Sequence, residues 1–339
     1  MVSIPDGLEP WEDRNDLCKL TNSILRSMPG KLEDLIETII KEDTNKVTCI
    51  IADGCMGWAT RVAKKMGIRS AVFWPASVCT LASVLSFQKL IDDGIINNNE
   101  AFFQVVKESV EASRLTEWFI CNSTTELEPG AFTMYPQVLP IGPLLASNRL
   151  ADQAGHFWKE DSTSLEWLNQ QPACSVIYIA FGSFTIFNQT QFQELALGLE
   201  LSNRPFLWVV RPGFTKETTA AYPDGYLERV GSRGRIVSWA PQQKVLAHSS
   251  VACFNGLGFN KDETGIITRE EIKSKVEQLL GDNTFRAKAM DIKVMVASSI
   301  RKGGCSHKNL TNFIEWIQYI STNAEKADAH TKTLTVDTM

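Results

Sequence analysis

The feature that most constrains this chain is a set of short, unbroken apolar runs rich in β-branched and aromatic residues. Val47-Thr-Cys-Ile-Ile-Ala52, Ser70 to Trp74, Ser175-Val-Ile-Tyr-Ile-Ala-Phe181 and Phe206 to Arg211 are the clearest. A strand that is apolar at every position, instead of at alternate ones, is one covered on both faces, as parallel strands are. Stretches of helical periodicity separate the runs, from Asp53-Gly54 to about Met66 and from Gln191 to Ser202. Strand, helix, strand at this spacing predicts right-handed parallel crossovers and an α/β fold. Further strands are expected at Trp118 to Cys121, Arg235 to Trp239 and Val251 to Phe254.

The pattern runs twice, and Leu139-Pro-Ile-Gly-Pro143 with the polar stretch from Ser147 to Gly155 reads as the join. The expected organisation is a first α/β domain over 1–146, a linker over 147–160, a second α/β domain over 161–321 and a disordered tail over 322–339. Helices are expected over 17–28 and 32–40, split by Pro29-Gly30, and over 77–90. Short helices are expected over 164–168 and 242–247. Thr268-Arg-Glu-Glu271 reads as a capping box opening a helix, with two more helices over 285–300 and 307–320.

A length of 339 residues suits two domains with sizeable cores. The net charge of −5 gives no reason to expect a nucleic-acid partner or an anionic membrane surface. Eight scattered cysteines without a C-x-x-C pair argue for a reducing compartment and against a zinc site. No apolar run reaches membrane-spanning length and the start carries no signal-peptide pattern, so the expectation is a cytoplasmic protein without membrane insertion. No G-x-G-x-x-G follows any strand, which argues against a dinucleotide-dependent oxidoreductase.

The most specific stretch is Ser238 to Phe254, S-W-A-P-Q-Q-K-V-L-A-H-S-S-V-A-C-F. A bulky aromatic at a strand end, followed by Pro241 at a helix start, offers a flat surface for a planar ring in the crevice beyond the strands' carboxyl ends. The alternative is a tryptophan of the core. Trp239-Ala240-Pro241-Gln242 through His248 and Phe254 resembles the first third of the donor-binding box of the plant UDP-glycosyltransferases. Looser phrases extend the resemblance over about residues 4–320: Ile51-Ala-Asp53, Cys121-Asn-Ser123, Leu127-Glu-Pro129, Ile141-Gly-Pro143 and Ala180-Phe-Gly-Ser183.

The resemblance implies a GT-B-like fold of two doubly wound, Rossmann-like domains, with the acceptor on the first and the nucleotide sugar on the second. It implies transfer of a sugar, glucose being usual, from a UDP-sugar to a hydroxyl of a small plant metabolite, without a metal or a bound cofactor. Trp239 would stack on uracil, Ala240 and Gln242 would meet the base edge, and Gly182 and Ser183 would approach the diphosphate. On the residues alone, Gly182-Ser183 is equally a tight turn. Asp53 matches the family aspartate that orients a catalytic histidine, and its other reading is a helix cap.

The pattern departs from the family in three places. The four histidines begin at His156, so no histidine precedes Asp53. Phe254 runs straight into Asn255-Gly256-Leu257, without the family's His-Cys-Gly-Trp-Asn-Ser run and later Asp-Gln pair. Asn97-Asn-Asn-Glu100 replaces a longer acceptor-side segment. The expectation is a first domain lacking its opening strands, with a sheet edge left open, and a second lacking part of its core. Impaired transfer follows, the alternative being a non-catalytic uridine-nucleotide-binding remnant or an unstable product of an incomplete gene.

Overall fold

The structure, a computed structural model, describes residues 2–14, 16–42, 47–95, 110, 114–144, 159–183, 185–215, 222–254 and 258–319. Most of the expected linker, the expected tail, Asn97 to Glu100, Trp158 and the junction at Asn255 lie outside the described residues. The chain forms two compact units, Met1–Ser147 with Asp291–Met339, and Asn148–Met290. The second unit therefore ends about thirty residues earlier than the sequence pattern suggests, because the last helix packs on the first sheet.

Unit 1 opens with helix α1 (Leu17–Glu42). Pro29 lies inside it without splitting it, contrary to expectation. Ile24, Leu25, Met28, Leu32 and Ile36 form one apolar stripe across the proline and pack with Trp58 and Val62. That tertiary burial outweighs the lost intrahelical hydrogen bond. Strand β1 (Cys49–Asp53), a 3₁₀ turn (Gly54–Met56), helix α2 (Trp58–Lys65) and strand β2 (Arg69–Trp74) form the first crossover. The expected helix over 77–90 breaks at Ser86 into α3 (Val78–Leu85) and α4 (Phe87–Asp92). Strand β3 (Trp118–Cys121), helix α5 (Pro129–Met134) and strand β4 (Val138–Pro140) follow. The sequence reading takes Leu139 to Pro143 as the start of a linker; instead Val138–Pro140 is a buried parallel strand against β3.

The sheet order is β1-β2-β3-β4, all parallel. Trp74 and Cys121 face α3 and α5, while Ala71 and Ile120 face a C-terminal helix over 305–319, where Phe313 stacks on Trp316. Ile51 is in register with Ala71 and so shares the second face, yet it is 51% exposed. β1 pairs only with β2 among the described residues. The expectation that β1 is buried on both faces is thus corrected: it is an edge strand with one face partly bare, and the expected open edge is present.

The family phrases in this unit are structural. A Cβ on Gly142 would lie 2.5 Å from the Asn122 backbone, and Asn122 Oδ1 accepts from Leu144 N–H at 2.6 Å. Glu128 caps α3 from fifty residues away, accepting from the N–H groups of Val78 (3.0 Å) and Cys79 (2.9 Å) and from the hydroxyls of Ser77 and Ser123. Burial alone would raise its pKa; the hydrogen bonds from Ser123, Ser77, Cys79 and Val78 outweigh it and pull the carboxyl down to about 2.

Unit 2 has the order β7-β6-β5-β8, all parallel: β5 (Val176–Ile179), β6 (Phe206–Val209), β7 (Gly234–Val237) and β8 (Val251–Cys253). Side-chain alternation splits the strands between two cores. Ile177, Ile179, Phe206 and Trp208 pack on helices α7 (Gln189–Leu201), α8 (Tyr226–Val230) and α10 (Arg269–Gly281). Val176, Tyr178, Leu207, Val209 and Val237 pack on α6 (Thr163–Asn169) and α9 (Gln242–Leu246). Gly198 lets α10 approach α7, since a Cβ there would lie 2.7 Å from Ile272. Only half the capping box forms: Thr268 accepts from Glu271 N–H at 3.3 Å, whereas Glu271 accepts from Asn260. Helix α11 (Asn283–Ile300) carries the chain back to unit 1.

Two expectations follow. Glu128→Gln costs about 1–2 kcal/mol after allowance for solvent screening. Because the folded pKa lies below the ordinary value of 4.5, that contribution is full above about pH 4.5 and fades as pH falls toward 2, so chemical denaturation of wild type and variant should converge in acid. Ile51→Lys, by charging the open edge, should raise the concentration at which the chain aggregates on heating, read by light scattering.

Candidate donor-binding site

In unit 2 the strand order reverses between β5 and β8, so the carboxyl ends of these strands flank a switch-point crevice. After β5 the chain passes through Ala180-Phe181 into a turn, with Gly182 at φ +72°, a left-handed conformation that favours glycine. The turn closes on itself through Thr185 Oγ1, which donates to Phe181 O at 2.8 Å. It is also held from below: Arg211, just beyond β6, donates to Gly182 O (3.3 Å) and Thr185 O (2.8 Å). Phe181, Phe187 and Phe214 form an aromatic floor with centroids 4.9–5.9 Å apart.

Strand β7 stops at Val237, two residues short of the expected end, so Trp239 stands beyond the sheet. The Val210 N–H bonds Val237 O at 2.9 Å, tying the ends of β6 and β7. Trp239 is half-buried, packed against the core cluster of Leu168, Val176 and Tyr178, and its carbonyl accepts from Asp161 N–H at 2.8 Å. It is therefore neither a fully enclosed core residue nor a free surface one. Ala240 is 4% exposed and seats the segment, Pro241 caps α9, and Gln242 is exposed at its first turn. Tyr178, in the middle of β5, donates its hydroxyl to Gln242 Oε1 at 3.4 Å and stacks on Phe254 at 5.1 Å. Burial pushes the Tyr178 phenol up to about 12, so it stays protonated and remains a donor.

The structure thus gathers Gly182, Ser183, Trp239, Ala240 and Gln242 at one end of one sheet. Sequence reasoning missed the two residues that bind them to it, Tyr178 and Arg211. Tyr178 is hidden in an apolar run; the signal for Arg211 is a charged residue directly after one. His248 is structural: its Nε2 is 3.0 Å from Asn169 Oδ1 and its Nδ1 accepts from Ser250 N–H.

Asp53 belongs to unit 1, at the carboxyl end of β1. It is exposed and caps the 3₁₀ turn, accepting from Cys55 N–H at 2.8 Å. Among the described residues no hydrogen bond joins it to a histidine, and no group of three or more His, Cys, Asp or Glu side chains could hold a metal. No helix among the described residues is long and apolar enough to cross a membrane.

No family model matches the chain. UDP-glycosyltransferase 83A1 of Arabidopsis thaliana is 33% identical over 400 aligned residues, which cover 94% of this chain and 84% of the relative. That alignment is longer than the 339 residues of this chain, so it contains stretches of the relative without a counterpart here. (R)-mandelonitrile beta-glucosyltransferase of Prunus dulcis is 28% identical over 74% of this chain, which spans 63% of that relative's length. Among solved structures, Os79 of O. sativa in complex with UDP superposes with a TM-score of 0.79 at 21% identity, covering 92% of this chain and 87% of that one. A UDP-glucosyltransferase from Polygonum tinctorium gives 0.73 at 24% identity, covering 93% and 84%. These structural likenesses show the fold, the GT-B class with Rossmann-like parallel sheets. At 33% identity to a relative of which it spans 84%, the chain belongs to the plant UDP-glycosyltransferases.

Proposed function

We propose that unit 2 binds a UDP-sugar, with glucose as the sugar, and that this chain's transfer of it to a hydroxyl of a small plant metabolite is impaired. The observation that carries the donor half is that the turn after β5 and the Trp239 segment after β7 stand at the same end of one sheet. The first is hydrogen-bonded by Arg211, just beyond β6, and the second by Tyr178 of β5. In this reading Trp239 stacks on uracil, Ala240 and Gln242 meet the base edge, and Gly182-Ser183 faces the diphosphate, where turn N–H groups suit an anion. Glucose is supported by relatives named as glucosyltransferases from Prunus dulcis and Gardenia jasminoides, and UDP by its presence in the Os79 complex.

Transfer needs the acceptor oxygen to attack the anomeric carbon as its bond to the UDP oxygen breaks, while the hydroxyl proton passes to a base. Among the described residues Asp53 has no histidine bonded to it, and it is engaged as a cap. Attack without a general base forfeits roughly 10²–10⁴-fold in rate. The same observation favours a second reading, a uridine-nucleotide-binding remnant without turnover. The UDP-sugar enters both readings as a ligand from solution, with no metal required. A cytosolic setting suits eight cysteines of which none is in a disulfide.

Calorimetric titration with UDP, alongside assays with UDP-glucose and a panel of phenols and flavonols, tests the reading. Binding with transfer at least a hundredfold slower than that of a full-length relative is expected. Binding with no turnover selects the remnant, and absence of UDP binding overturns both. Trp239→Ala should weaken UDP and uridine alike by about tenfold or more, as expected for a lost base–aromatic stack. Asp53→Ala should cost about 1 kcal/mol of stability, the usual value of a cap, and leave UDP affinity unchanged.

A further inference from the structure

Among the described residues Arg211 is the one charged residue that is buried, at 8% exposure, and the donor-site reading uses it only to tie the turn after β5 to the sheet. Its guanidinium is spread over the backbone of two loops. Nε and Nη2 hold the turn after β5 through Gly182 O and Thr185 O. Nη1 holds the loop after β6 through Pro212 O (3.2 Å) and Gly213 O (3.0 Å). Every one of these acceptors is a neutral carbonyl, and among the described residues no carboxylate pairs with the side chain. The ring of Phe214, 6.0 Å from the guanidinium carbon, backs it from the aromatic floor. A planar fork with five fixed donors can serve two loops at once; an ammonium cannot do so with the same geometry.

The consequence for the turn follows from covalent geometry. In a trans peptide the C=O and the next N–H point in opposite directions, and the only cis bond among the described residues is Gly142-Pro143. With Gly182 O drawn down onto the guanidinium, the Ser183 N–H is turned away from it, to the outer side of the turn. There the backbone donor and, behind it, a fixed positive charge act in the same sense on an anion.

We propose that Arg211 is a positioning residue for the donor's diphosphate: it sets the peptide orientation of the Gly182-Ser183 turn and supplies the charge beneath it. This deepens the donor-site reading and rests on it. Arg211 recognises no base and no sugar; it acts through the turn and through its field, so it discriminates ligands by their phosphates.

The test is titration of the full chain with UDP and with uridine, for the unsubstituted protein, Arg211→Lys and Arg211→Met. Amide hydrogen exchange across the two loops is followed in each. Arg211→Lys should lose about tenfold in UDP affinity, by keeping the charge but not the fork, and Arg211→Met about a hundredfold. Uridine affinity should stay within twofold in both, and exchange at Phe187 and Phe214, whose N–H groups bond Phe214 O and Arg211 O respectively, should rise while the amides of β5 and β6 stay protected. UDP affinity held within twofold by the variants would overturn the proposal while leaving the donor site standing. So would UDP and uridine falling together with exchange rising throughout unit 2, since that is loss of stability and not of positioning. Failure of the unsubstituted chain to bind either ligand would instead overturn the donor-site reading, and this proposal with it.

Discussion

A parallel sheet can be stable only if both its faces are covered, because its crossover connections leave backbone and apolar side chains no other place to be buried. Unit 2 meets this condition. Its strands deliver alternate side chains to two cores, one closed by α7, α8 and α10 and the other by α6 and α9. With the strands covered on both faces, backbone is left open to a ligand at the sheet's ends, and the candidate donor-site residues are on the loops at the carboxyl end. The site is therefore a consequence of how the sheet is buried: Tyr178 belongs to the second core yet reaches Gln242, and Arg211 leaves β6 to hold the turn after β5.

Unit 1 meets the condition less fully. The C-terminal helix covers β2 and β3 through Phe313 and Trp316, but Ile51 on β1 stays half-exposed at the sheet's edge. The same edge bears Asp53, whose carboxylate is engaged by the turn that follows it. The bare face and the capping carboxylate thus fall on the same strand. Elsewhere the unit is tightly made: Glu128 joins α3, the end of β3 and α5 through a single low-pKa carboxylate.

Much of this was readable in advance, and the misses share a cause. The buried runs of β5 and β6 and the turn at Gly182 announce themselves, since local chemistry decides them. Pro29 misleads because a continuous apolar stripe matters more than one missing hydrogen bond. Val138–Pro140 misleads because a three-residue strand with a proline looks like a connector until β3 pairs with it. Trp239 and Gly182-Ser183 are legible as candidates from their wording; Tyr178 and Arg211 are not, because their roles are contacts across the fold with no local signature.

What the sequence determined by itself was the α/β class, the twofold repetition of the pattern and the family, since these rest on periodicity and on a specific run of residues. Only the tertiary structure decided that the last helix belongs with the first sheet, that β1 is an edge, and that a buried guanidinium holds the turn after β5. Each of those depends on which surfaces meet across long separations in the chain, and periodicity along the sequence carries no information about which apolar face finds which partner.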